Sequence, residues 1–185
     1  MKAKVNRVTI ELVQGSTLTQ AADAITVVTD TNLSVSPQLA AAAGPSVARQ
    51  TAAIGWSAAG TTVATDAGDL VGIRKILHTV GPHWGQGSER AKLGNATWSS
   101  LQLAESLEAK SVALPAISVG TLGYPVEACA QIMIERTIDI AFEPLKHLRT
   151  VFICLENLTI YEVFLQEFQR QIEDLRATGE GKVRA

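Results

Sequence analysis

The residues Ser118, Val119, Gly120, Thr121, Leu122, Gly123, Tyr124 and Pro125 stand between an apolar run, SVALPA, and a stretch with helical periodicity. Two glycines in such a place let the backbone approach a ligand closely, because no Cβ stands in the way. The start of the helix that follows offers unpaired N–H groups and a positive dipole end, which together suit a phosphate. The same spacing also fits a plain strand-to-helix turn whose glycines serve geometry alone. Three further segments follow strand-like runs: Gly15-Ser16-Thr17, Asp30-Thr31-Asn32-Leu33 and Gly81-Pro82-His83-Trp84. In an open α/β sheet, ligands bind beyond the carboxyl ends of the strands, so all four segments could line one crevice.

Other reactive side chains are few. His78, His83 and His147 are the only histidines, and no two have metal-ligand spacing on a helix face, so neither a metal nor another cofactor is expected. His78 lies inside a strand pattern and reads as structural. His83-Trp84 could stack on a base or cover the sheet edge. Cys129 and Cys154 each sit in an apolar run, where a free thiol behaves as a small hydrophobe. No residue is assigned as catalytic. Asp30 is the one weak candidate, as a general base on water. The preferred reading is that it caps a turn through Asx hydrogen bonds.

These segments need a scaffold, and composition bounds it. The 185 residues are 46% hydrophobic and 18% charged, enough for one core and the opposite of a disordered chain. One domain over residues 1–176 is expected, followed by a polar, flexible tail over 177–185. Sixteen Lys and Arg against eighteen Asp and Glu leave a net charge of −2, which disfavours nucleic acid as a partner. The polar, basic first residues and the lack of any run of about 20 apolar residues point to a cytoplasmic protein without membrane contact.

Hydrophobic patterning then supplies the elements. Residues 8–13 (VTIELV), 24–29 (AITVVT), 60–65, 73–80, 111–116 (SVALPA) and 150–155 (TVFICL) read as strands, the second apolar throughout as in a strand covered on both faces. Pro37 opens a helix that carries Leu39 and stops at Gly44-Pro45, and a second helix lies between Glu89 and Ala109. A third starts at Pro125 and presents Val126, Cys129, Ala130, Met133 and Thr137 on one face; a last one carries Ile160, Phe164, Phe168 and Leu175 inward. Strands alternating with helices at these lengths imply an α/β sandwich with a mostly parallel sheet.

Three motifs in order also resemble the macrodomain family, which binds ADP-ribose. ALPAISVGTLGYP, over residues 113–125, is similar to the family's second phosphate loop, and ILHTVGP, over 76–82, to its strand ending in His-Thr-Val-Gly-Pro. Gly15 followed eight residues later by Asp23-Ala24-Ile25 fits its opening strand pair. The resemblance implies a three-layer α/β/α sandwich around a mixed, mostly parallel sheet. It also implies a crevice in which Ser118, Val119, Gly120, Thr121 and Leu122 hold a diphosphate. Ser16 stands where the family has an Asp that binds the adenine amino group, and Thr17 follows it. Asp30 stands for the family's Asn at the distal ribose, with Asn32 beside it. The glycine-rich first phosphate loop is replaced by a shorter glycine-free one.

The reading that follows is a divergent, non-hydrolytic macrodomain that binds an ADP-ribose-like nucleotide, free or on an ADP-ribosylated protein. One alternative is a hydrolase of an ADP-ribosyl ester or a phosphorylated ADP-ribose using other residues. A second is a scaffold for protein interaction that has lost the nucleotide.

Overall fold

The computed structural model describes residues 1–184. Its core is one eight-stranded sheet in the order β4-β5-β3-β6-β7-β2-β1-β8. The strands are β1 (Lys2–Val5), β2 (Val8–Gln14), β3 (Ala24–Thr29), β4 (Thr62–Asp66), β5 (Lys75–Val80), β6 (Ser111–Pro115), β7 (Thr150–Leu155) and β8 (Val183–Arg184). The central five, β5, β3, β6, β7 and β2, run parallel, while β4, β1 and β8 pair antiparallel at the two sides.

Helices cover both faces, as a parallel sheet requires. Helices α1 (Pro37–Ala43) and α2 (Pro45–Ile54) seal one face over Ile25, Ile76, Ala113 and Cys154. Helices α3 (Glu89–Ser106), α4 (Val126–Ile140) and α5 (Leu158–Thr178) seal the other, burying Phe164 and Phe168 against Ile10 and Val151. The result is the expected α/β/α sandwich. Several element ends carry the chemistry that sets them. The Ser36 hydroxyl accepts from the Leu39 N–H at 3.2 Å to start α1, with Pro37 in the first turn. Asn157 Oδ1 accepts from the Ile160 N–H at 3.2 Å to start α5.

Some expectations need correction. Regular structure extends past Arg176 into the segment expected as a tail: α5 runs on to Thr178, and Val183 and Arg184 pair with Val5 and Lys4 of β1. Gly179 and Gly181, both at positive φ, turn the chain back, and the open edge of β1 supplies partners for its backbone. Ala185 lies outside the described residues. Pro125 caps α4 from outside rather than serving as its first residue. The inner stripe of α5 is Phe164, Phe168 and Ile172, with Ile160 and Leu175 only partly buried. Among the described residues no helix is long and apolar enough to cross a membrane.

The candidate ligand cleft

The sheet splits where its topology reverses. β3 pairs with β5 at all six of its residues, and β6 pairs with β7 at all five of its own. β3 and β6 pair with each other only at Ala24–Val112 and Ile25–Ala113. Beyond Ile25 the two strands part. From β3 the chain turns to one side through α1 and α2, and from β6 to the other through α4. That is the switch point at which open α/β sheets bind ligands. A cleft of about 470 Å³ opens there, within the usual range for small-molecule sites. Its floor is Thr26, Val27 and Val28 on one side and Pro115 and Ala116 on the other.

The loop between β6 and α4 forms one wall through Val119 and Gly120. It is pinned at its root by sulfur. The Ile117 N–H donates to Met133 Sδ at 3.3 Å, and the Cys129 thiol donates to the Ile117 carbonyl at 3.1 Å. Ser118 then adopts φ 66° and Gly120 φ 92°, and the Tyr124 N–H closes back on the Ser118 carbonyl at 3.0 Å. Across residues 118–122 no backbone N–H donates to another described residue. Alternating backbone hands with free N–H groups make an anion-binding concavity. A Cβ on Gly120 would meet nothing within 4 Å, so the space beside it is open.

The loop after β3 is built the opposite way. Asp30 Oδ1 accepts from the Asn32 N–H at 3.0 Å and from the Ser34 N–H at 3.1 Å. The Leu33 N–H donates to the Asp30 carbonyl at 3.0 Å, and Leu33 takes φ 58° with its side chain buried. Two of its N–H groups, those of Asn32 and Ser34, are spent on a carboxylate. Hydrogen bonds from the Ser34 side chain, then its backbone, and from Asn32 hold that carboxyl below the ordinary aspartate value.

At the far end, Ser16 and Thr17 line the cleft, with the Ser16 hydroxyl accepting from the Leu18 N–H at 3.3 Å. Cys154, Glu156 and Asn157 close this end. Burial pushes the Cys154 thiol up to about 12, so it stays protonated and inert at neutral pH.

Of the residues singled out in sequence, Ser16, Thr17, Val119 and Gly120 therefore meet at the cleft. Asp30, Asn32, Ser118, Thr121 and Leu122 are not among its lining residues. Ser118 is buried against Gly81, and Asp30 turns into its own loop, as the Asx reading has it. His78 is buried in β5 beside Thr65, and exposed Trp84 packs edge-on to Tyr124 at 5.1 Å, outside the lining. Thr26, Val28, Ser36 and Gln38 were not read as site residues in the sequence, and Cys154 was read only as a small hydrophobe. The strand β3 itself was legible, but nothing local marks where it leaves β6 and exposes its residues.

Known proteins fit this architecture. Residues 22–133 match the family model described as Macro domain. A macro domain-containing protein of Caldanaerobacter subterraneus subsp. tengcongensis is 30% identical over 172 residues, covering 87% of this chain and 98% of its own. An O-acetyl-ADP-ribose deacetylase of Cronobacter sakazakii is 40% identical over 116 residues, 60% of this chain and 64% of its own length. The chain spans about 60% of the length of the first curated relatives it matches. Among solved structures, a mutant of the Oceanobacillus iheyensis macrodomain with ADPR superposes with a TM-score of 0.85 at 25% identity, covering 94% of this chain and 98% of that one.

Proposed function

The chain belongs to the Macro domain family, and from that premise we propose that its cleft binds ADP-ribose or a related nucleotide without hydrolysing it. The observation that carries this reading is the run of unpaired backbone N–H groups at residues 118–122, set beside an open cleft at the sheet's switch point. Val119 and Gly120 receive the diphosphate. Ser16 and Thr17 border the base, and the loop from Asp30 to Asn32 lies towards the distal ribose. The ligand arrives free or attached to an ADP-ribosylated protein. The solved Oceanobacillus iheyensis relative with ADPR supports this ligand class.

The absence of hydrolysis rests on the chemistry of the cleft. Its titratable lining groups are Cys154, held protonated by burial, and Glu156. Asp30 accepts two backbone donors at its Oδ1 and is held below the ordinary aspartate value, which makes it a weaker base. Isothermal titration calorimetry with ADP-ribose tests binding. Saturable heat at micromolar affinity, about −8 kcal/mol, supports the reading. No heat and no thermal shift at millimolar ligand overturns it.

A second reading, ester hydrolysis, is favoured by the relative named as an O-acetyl-ADP-ribose deacetylase. Acetate release from O-acetyl-ADP-ribose above the uncatalysed rate would establish it in place of the first.

A further inference from the structure

Three successive peptide units open the β6 loop, and each is held differently. The unit before Ile117 is held through the Ile117 N–H, which donates to Met133 Sδ at 3.3 Å. The unit after Ser118 is held through the Ser118 carbonyl, which accepts from the Tyr124 N–H at 3.0 Å. Among the described residues the unit between them, Ile117–Ser118, has a single hydrogen bond. Its carbonyl accepts from the Cys129 thiol at 3.1 Å, and its N–H has no partner. Cys129 and Met133 lie one turn apart on the buried face of α4, so both sulfurs reach the same residue. The thiol has one hydrogen to give, and the Ile117 carbonyl is nearer than Met133 Sδ at 3.6 Å and the stronger acceptor. Burial pushes the thiol up, so it keeps that hydrogen at neutral pH.

This middle unit is set against the preference of its own backbone. It gives Ser118 φ 66°, in the left-handed region that a side chain disfavours. Turning the unit over by half a turn would carry that φ into the ordinary negative range. The C=O and N–H of a trans peptide point in opposite directions. The same turn would therefore put a carbonyl where the Ser118 N–H now stands. It would also remove the first of the alternating backbone hands that make the concavity.

We propose that Cys129 is a positioning residue whose thiol holds the Ile117–Ser118 peptide in its anion-receptive orientation, against a flip that would relieve Ser118. This rests on the reading of the loop as the seat of a nucleotide's diphosphate and deepens it. The thiol touches no ligand and acts through the Ile117 carbonyl. Its loss lowers the fraction of molecules with the loop receptive, and the apparent affinity falls with that fraction.

Two measurements separate the outcomes: calorimetry with ADP-ribose, and crystal structures without ligand. Both are made on the native protein, Cys129→Ala, Cys129→Ser and the double variant Cys129→Ala with Ser118→Gly, and thermal unfolding checks that each folds. Cys129→Ala should weaken ADP-ribose by about three- to tenfold, the range that one net hydrogen bond spans. Its structure should show Ser118 at negative φ. Cys129→Ser keeps a donor near the same place and should bind within about twofold of native. Glycine at 118 carries no side-chain penalty at positive φ, so the double variant should recover most of the lost affinity. A role for Cys129 in packing alone predicts no such recovery. Native affinity in Cys129→Ala, a loss that Ser118→Gly does not repair, or a positive φ at Ser118 in the Cys129→Ala structure each overturns the proposal while the nucleotide reading stands. A native protein that binds no ADP-ribose overturns the nucleotide reading, and the two ligand-free structures then still decide whether the thiol holds the peptide.

Discussion

Gly81, just past the end of β5, lies so close to Ser118 that a methyl group on it would overlap the serine hydroxyl. Ser118 faces that contact from the loop side. It is buried, sits at φ 66°, and its Oγ has no hydrogen-bond partner. The loop that presents the free N–H groups is therefore wedged against the end of β5.

Replacing Gly81 by alanine should displace the loop and cost about 1–3 kcal/mol, the usual range for overpacking. Ser118→Ala alone should be nearly neutral or stabilising, since it removes a buried hydroxyl that bonds to nothing. The double variant should recover much of the lost stability. Urea unfolding of the three proteins checks this, and additivity of the two single effects would show that the contact does not matter.

Gly120→Glu should abolish ADP-ribose binding. The position opens onto empty space, so a side chain there projects beside the N–H groups without striking the protein. A carboxylate then competes for the same donors and repels phosphate. The residue sits at φ 92°, so some loss of stability is also expected. Calorimetry below the variant's unfolding temperature separates the two effects, and undiminished affinity would put the phosphates elsewhere.

His78 should make stability depend on pH. Burial pushes its imidazole down to about 4, and its Nε2 lies 2.9 Å from Thr65 Oγ1 while Nδ1 has no partner. The folded state thus holds the ring neutral, while the unfolded chain protonates it near 6.5. Between these values the unfolded state binds more protons, so stability falls as pH falls from about 6.5 to 4 and then levels off. The loss attributable to this ring is up to about 3 kcal/mol. Denaturation midpoints at pH 7, 5.5 and 4.5 should drop more steeply for the native protein than for His78→Gln. Parallel slopes would assign the dependence to other groups.

Glu105 should act as a clasp. Its carboxylate accepts from the N–H groups of Lys146 at 2.6 Å, Leu148 at 2.7 Å and His147 at 3.1 Å, tying the end of α3 to the loop that enters β7. Burial works against the charge, but those three donors outweigh it and hold the carboxyl below the ordinary glutamate value. Its contribution is present above the unfolded value near 4.3 and is lost as pH falls through the folded one. Glu105→Ala should cost about 2–3 kcal/mol, or roughly 5–10 °C in Tm for a domain of this size. A Tm within about 1 °C of native would reject the clasp.

How far the sequence reached follows from the range of each interaction. Strands β3 and β7 and helix α1 were legible to the residue, because each is a short apolar run bounded by its own breakers and caps. The Ser118 to Tyr124 turn was legible because its glycines and its serine specify the backbone locally. Helix α2 was not, since its polar, alanine-rich stretch has only Val47 and Thr51 to bury. Strands β1 and β8 escaped as well. Lys2–Val5 is half charged, and Val183–Arg184 is a strand only because β1 offers an open edge.

The cleft belongs to the tertiary structure. By itself the sequence determined the layers, the order of six of the strands and four of the helices, and one glycine-bearing loop suited to an anion, all through contacts between residues near in the chain. Only folding decided that β3 and β6 separate after two paired residues. Only folding decided, too, that the Ser118 side chain is buried beside Gly81 and that Asp30 closes its own loop. Those outcomes depend on which strands become neighbours and on which N–H groups are left without partners, and neither is encoded within any single segment.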